Sequence, residues 1–204
     1  MKIGITGHTG GLGTALCNQL HKDNQHTLYG YSRATGYTFR YDTEAHLNCV
    51  ENVLENDLDA FIMTGPMGQS KLLTELYSKW RELPDKHIIV VNSALKYQFI
   101  IDIMTEKMAE NSMPKEDMRT NIRLWEAYKN CIFDSFTVLP RRKCRLSHYT
   151  LTRIATARSD PDKSGSYDTK RMNVDTVANH ILERTLFGPR EYEQLDILLN
   201  PYQS

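Results

Sequence analysis

The stretch Thr6-Gly7-His8-Thr9-Gly10-Gly11-Leu12-Gly13 decides how this chain is read. Ahead of it, Lys2 to Thr6 is a short strand-like run; behind it, Leu12, Leu16 and Leu20 recur on one helical stripe. A strand that breaks on glycine and reopens as a helix suits a dinucleotide pyrophosphate. It offers closely approaching backbone, amide N–H groups aimed at the phosphates and the positive end of a helix behind them. In this reading Gly7 permits the tight turn, Gly11 lets the phosphates approach and Gly13 lets the helix pack on the sheet, while Thr9, Gly10 and Leu12 complete the cofactor-binding turn. Glycine spacing alone is weak evidence. Its weight comes from the strand before it, the helix after it and the alternating chain that follows.

Working outward, His26 to Ser32 reads as a second strand and Tyr37 to Tyr41, alternating aromatic and polar residues, as a short third. Thr43 to Asn56 is expected to be a helix with Leu47, Val50, Val53 and Leu54 on its buried face. Ala60 to Thr64 is a strand that breaks at Gly65-Pro66, and Ser70 to Glu82 a helix carrying Leu72, Leu73, Leu76 and Trp80. His87 to Asn92 is apolar on both faces, as a central parallel strand should be. Helical spacing runs over Tyr97 to Glu110 and Pro114 to Asn130, with Pro114 suited to a first turn. Phe136 to Leu139 reads as a strand before Pro140, Val174 to Leu186 as a helix closed by Gly188-Pro189, and Leu195 to Leu199 as an edge strand. Arg158 to Arg171 is polar and irregular, either a lid over a site or a plain surface loop.

Alternation of this kind is the pattern of a parallel sheet covered by helices on both faces. The expectation is one α/β domain over residues 1–204, a Rossmann-type doubly wound sheet of about six or seven strands. A substrate-side loop region is expected over about 141–173, with its charges at Arg141, Arg142, Lys143 and Arg145 either lining an anion pocket or forming a solvated surface.

The composition narrows the function. With 25 basic and 25 acidic residues the chain has no excess of charge to track a nucleic acid, and none of its apolar runs is long enough to cross a bilayer. The four cysteines show no C-x-x-C pair and the histidines no H-E-x-x-H, so no metal site is expected. Met1 to Gly11 has no apolar stretch of signal-peptide type, which leaves a cytoplasmic protein with a small-molecule substrate as the default.

TGHTGGLG fits the T-G-x-x-x-G-x-G of the short-chain dehydrogenase/reductase family, which the chain resembles over most of its length. The resemblance implies a bound NAD(P) and assigns further residues. Tyr31-Ser32-Arg33 falls about 20 residues beyond the glycines, where such folds read the adenosine ribose. Ser32 followed by Arg33, in place of an acidic residue, favours NADP(H), with NAD(H) as the alternative, because a guanidinium makes charge-assisted bonds to a 2′-phosphate. An ordinary surface arginine is the competing account of Arg33. Asp42 matches the family's adenine-contacting aspartate, though aspartate is also common in turns. Asp59-Ala-Phe-Ile-Met-Thr-Gly-Pro66 takes the place of D-x-L-V-N-N-A-G, which sets Thr64 and Gly65 against the cofactor.

The catalytic end departs from the family. Ile88-Ile-Val-Val-Asn-Ser93 resembles the strand that ends on the catalytic serine, so Ser93 is the candidate to hydrogen-bond a substrate oxygen. The family's proton donor is the tyrosine of Y-x-x-x-K, whose spacing puts both side chains on one helical face. No tyrosine here has a lysine four places on. Counting back from Pro140 puts Asn111 in the tyrosine's place and Lys115 in the lysine's, which would keep a ribose contact and lose the acid. Tyr97 is the one phenol close to Ser93, and an amphipathic-helix position explains it more economically. Two functions stay open: an NADP-dependent oxidoreductase with an atypical site, acting on a small carbonyl or sugar-like substrate, or a catalytically silent NADP(H)-binding sensor or partner subunit. Either is compatible with a homo-oligomer.

Overall fold

In β1 (Lys2–Thr6) the residues from Ile3 to Thr6 are all buried, a demand that only a strand covered on both faces makes. A computed structural model of the chain describes residues 1–39, 43–64, 70–93, 102, 105–106, 109–110, 114–116, 142–151, 154–155, 172–188 and 194–197. After β1 come α1 (Gly11–Lys22), β2 (Thr27–Tyr31), a 3-10 turn (Arg33–Thr35), α2 (Thr43–Glu55), β3 (Ala60–Met63), α3 (Ser70–Trp80) and β4 (His87–Ser93). Then follow β5 (Arg145–Leu151), β6 (Ile154–Ala155), β7 (Met172–Asn173), α4 (Val174–Ile181) running into a π-turn (Leu182–Leu186), and β8 (Gln194–Ile197).

Six strands form one sheet in the order β2-β1-β3-β4-β5-β8, all parallel, and β6 pairs with β7 apart from it. All six therefore end at one edge, where ligands of open α/β sheets bind. Helices cover both faces. Ile3, Ile5, Ile62, Ile89 and Val91 pack with Leu12, Leu16 and Leu20 of α1 and with Val177, Ala178 and Ile181 of α4. On the other face Tyr31, Phe61, Met63, Ile88 and Val90 meet Cys49, Val50 and Val53 of α2 and Leu72, Leu73, Leu76 and Trp80 of α3. The doubly wound Rossmann-type α/β fold expected from the alternation is the fold observed. Among the described residues no helix is long and apolar enough to cross a membrane.

Three expectations are corrected. Tyr37 to Phe39 form no strand, and residues 40–41 lie outside the described ones. The aromatics stack instead: Tyr37 sets its edge on Tyr31 at 5.1 Å, and Phe39 lies between Tyr37 and His46 at 5.9 and 5.6 Å. Burying those rings under α2 competes with ladder pairing, and burial prevails. In α2, Leu47 and Leu54 are 42% and 39% exposed, and the buried stripe is Ala45, His46, Cys49, Val50 and Val53. The helix is turned so that Cys49, Val50 and Val53 meet the sheet's aromatic residues, leaving the two leucines in water.

The third correction moves a strand. The neighbour of β4 is Arg145–Leu151, inside the stretch read as a substrate-side loop, with His87 opposite Arg145 and Ser93 opposite Leu151. Phe136 to Leu139 and Arg158 to Arg171 lie outside the described residues. The strand was missed because Ser147, His148, Tyr149 and Thr150 lack an apolar signature, although all four are buried. Polar residues in a strand covered on both sides defeat a reading based on hydropathy.

Candidate functional site

Gly7 ends β1 with a φ of 62°, the left-handed conformation that favours glycine, and a side chain there would press on the hydroxyl of Thr64 at 2.8 Å. The Gly10 amide donates to the Gly7 carbonyl at 2.8 Å, and the Gly7 amide donates to the Tyr31 carbonyl at 2.8 Å. Gly10 then caps α1 with no side chain on the helix's amino end and no acidic residue in its first turn. The leading amides of a helix have no partner within it, and a capping side chain or a ligand must serve them. With no cap, the start of α1 at Gly11 and Leu12 is chemically an anion cradle. Gly13 is buried, and a Cβ there would be driven into the Gly7 carbonyl, so its role in close packing has a direct cause. Thr9, Gly10 and Gly11 are exposed at the surface of the turn.

Beside the turn, β2 ends in a capping box. The Ser32 side chain accepts from the Ala34 amide at 3.2 Å, and the Ser32 amide donates to the Thr35 hydroxyl at 2.9 Å. Ser32 is thereby buried and committed to the 3-10 turn, while Arg33, the next residue, is exposed. Tyr31 faces the other way, donating from its phenol to Asn52 at 2.8 Å, and burial holds that phenol well above its ordinary pKa. It is no proton donor for a ligand.

At the end of β3 the Thr64 amide donates to the Thr6 hydroxyl at 3.0 Å, and the Thr64 hydroxyl donates to the Thr6 carbonyl at 2.6 Å. This reciprocal pair clamps β1 to the loop after β3 just below the glycine turn. Gly65 and Asp42 lie outside the described residues.

No protein-family model matches the sequence, and no curated protein matches it either. Solved structures do. A 3-alpha-hydroxysteroid dehydrogenase from Pseudomonas sp. B-0831, complexed with NADH, matches with a TM-score of 0.63 at 19% identity, over 97% of this chain and 95% of that one. A bulky-bulky ketone specific alcohol dehydrogenase from Comamonas testosteroni gives 0.65 at 12%, over 98% and 86%. A short-chain dehydrogenase from Sphingobium yanoikuyae in complex with NADPH gives 0.63 at 11%, over 98% and 88%. The fold is that of the short-chain dehydrogenases.

Within the short-chain dehydrogenase fold, Ser93 is the last residue of β4, at the carboxyl end of the sheet. Lys115 is exposed and helical directly after Pro114, while Tyr97 and Asn111 lie outside the described residues. The count that assigned Lys115 was anchored on a strand before Pro140. Because β5 is the strand that pairs with β4, that anchor no longer has a basis in the sheet.

The basic run is also relocated. Arg145 sits opposite His87, at the amino end of the sheet, and Arg142 and Lys143 precede it. The Lys143 ammonium lies 3.4 Å from Glu82, and the Arg145 guanidinium donates to the Gly188 carbonyl at 3.2 Å. These cations lie at the pole away from the ligand edge, so they do not line a substrate pocket there. Arg141 lies outside the described residues.

The sequence reading missed a polar row instead. Asn92 stands opposite Thr150 and Val90 opposite His148, so Asn92, His148 and Thr150 share one face, all buried, leading toward the end of β4. Knowing that 145–151 is a strand was the signal needed to see it.

Proposed function

We propose that this chain is an NADP(H)-dependent oxidoreductase of the short-chain dehydrogenase/reductase type, working in the cytoplasm on a small carbonyl or sugar-like compound. The observation that carries the reading is the uncapped start of α1 with exposed Arg33 beside it. The amides of Gly11 and Leu12 bind the pyrophosphate, and Gly65 lies against the cofactor with Thr64. Arg33 pairs with the 2′-phosphate, and Asp42 meets the adenine. When bound, the nicotinamide supplies hydride chemistry, and the protein's task is to position it and to stabilise charge on the substrate oxygen. Ser93 hydrogen-bonds that oxygen at the end of β4. Tyr97 is the phenol nearest to Ser93 in sequence, and Lys115, whose anchor β5 displaces, enters the test as the candidate for the nicotinamide ribose.

The test combines calorimetry with NADPH and NADH and a screen of NADPH oxidation against carbonyl compounds and nucleotide sugars, with Ser93→Ala and Lys115→Ala alongside. Ser93→Ala should lower kcat far more than it weakens cofactor binding, because its hydroxyl acts as charge develops. A Lys115→Ala variant that lowers both would put the lysine on the nicotinamide ribose, and one that changes neither would remove it from the site. One observation favours a second reading, a silent NADP(H)-binding sensor or partner subunit: no tyrosine in the chain has lysine four places on. Firm NADPH binding without turnover on any compound would select it.

A further inference from the structure

We propose that a second copy of this chain docks on the outer face of α2 and α3, in a two-fold dimer that lays α2 of each copy along α3 of its partner. Packing inside the chain leaves two leucines unused. Leu47 and Leu54 stand two helical turns apart on one side of α2, both exposed, with Glu51 between them. Together with Leu83 they make three of the five large apolar residues that are exposed among the described ones. α2 already buries Cys49, Val50 and Val53 against the sheet, so its outer leucines form a second apolar side. Covering such a side stabilises an association.

Charge selects the partner. α2 carries three glutamates and no lysine or arginine, and Glu51 and Glu55 are exposed beside the leucines. Next to it on the same face of the sheet, α3 exposes Lys71, Thr74, Ser78 and Lys79, and exposed Arg81 follows its last turn. Glu82 is shared by the Arg81 and Lys143 side chains, at 3.7 and 3.4 Å, so that end of α3 stays basic. Leu83 sits there too, its amide donating to the Trp80 carbonyl at 2.8 Å. Both helices return from the carboxyl ends of parallel strands to the amino ends, so they run side by side in one direction. A two-fold axis lying between them and along them sets the acidic, leucine-bearing side of each α2 on the basic side of the partner's α3. Leu54 then meets the partner's Leu83, and Glu51 and Glu55 meet the partner's Lys79 and Arg81. An axis across the helices would instead set α2 on α2 and oppose like charges. The face is about 20 Å long and about 20 Å wide. It covers one side of the sheet and leaves the carboxyl edge open to ligand in both copies.

The test is sedimentation equilibrium of the full chain, at low and high salt and at concentrations up to about 200 µM, since a face at the small end of stable interfaces gives a dimer that dissociates in the micromolar range. High salt should weaken it, because the opposed charges are exposed before docking. Glu51→Lys and Lys79→Glu, each at an exposed position, should each weaken the dimer at least tenfold, as the two-fold axis repeats every change. The double variant exchanges both charges within one chain and should return to within threefold of the parent protein. Leu54→Asn should also weaken the dimer at least tenfold without altering a charge, and it carries the test if a charge variant fails to fold. A parent protein that stays monomeric at the highest concentration would overturn the inference. So would a dimer indifferent to Glu51→Lys and Leu54→Asn, or a double variant no tighter than the single ones. The cofactor reading stands or falls separately from all of these outcomes.

Discussion

The amide of Gly7 donates to the carbonyl of Tyr31 at 2.8 Å, joining the glycine turn to the end of β2 across a parallel strand pair. That single bond puts the proposed pyrophosphate cradle and Arg33 in one rigid corner. The cofactor preference should follow from it. Arg33→Ala should cost NADPH about tenfold or more in affinity, as a charge-assisted bond is worth roughly 1.5–3 kcal/mol. NADH should be unaffected. Equal affinities of the parent protein for the two cofactors, measured by calorimetry, would refute this.

The turn's glycines should separate into two kinds. Gly13→Ala forces a methyl into the Gly7 carbonyl. It should therefore lower both the melting temperature and dinucleotide affinity. Gly11→Val acts at an exposed first helical position, so the fold should survive while binding is lost. A well-folded Gly11→Val variant that still binds NADPH would show that this glycine does not face the phosphates.

Thr64 offers a test of the clamp below the turn. Thr64→Val removes the 2.6 Å bond from the Thr64 hydroxyl to the Thr6 carbonyl, in a part-buried setting. The cost should be about 0.5–1.5 kcal/mol in urea unfolding, the net worth of one intramolecular hydrogen bond. Thr64→Ser should recover most of it. If valine proves as stable as serine, the hydroxyl does not hold β1 to the β3 loop.

Acid should weaken the fold through His87. Its Nε2 lies 2.8 Å from the Ser147 hydroxyl, and burial, reinforced by the Arg145 charge, pushes its pKa down to about 3. Above the unfolded value near 6.5 neither state carries a proton on this ring, and the histidine makes no pH-dependent contribution. Below it the unfolded chain binds a proton that the native state refuses, so stability falls as the pH drops from about 6.5 toward 3. By pH 5 the loss from this group is about 2 kcal/mol. His87→Gln should unfold in urea with a shallower pH slope over that window, and parallel slopes for the two proteins would sink the assignment.

Much of the fold was legible in the chain because its signals are local. Lys2–Thr6, Ala60–Met63 and His87–Ser93 are short runs dominated by apolar residues beside turn-forming sequence, and hydropathy marks such runs without reference to anything distant. The glycine turn was legible for the same reason: backbone geometry at Gly7 and Gly13 demands glycine whatever the surrounding sequence.

What the chain alone could not decide depends on partners far away in sequence. The rotation of α2, which buries Cys49 and exposes Leu47, is set by the aromatic residues of β2 and β3 beneath it. Arg145–Leu151 is a strand because β4 and β8 flank it and Leu146, Tyr149 and Leu151 enter the two cores; its own residues give no such pattern. That placement carried the basic run to the amino pole and brought Asn92, His148 and Thr150 onto one buried face. The position of His8 over Gly30 has the same origin, since a ring and a missing side chain 22 residues apart meet only once β1 and β2 are paired. Sequence determined which segments form strands and helices wherever the apolar period was intact. Tertiary packing decided which polar residues were worth burying and at which end of the sheet each charge would stand.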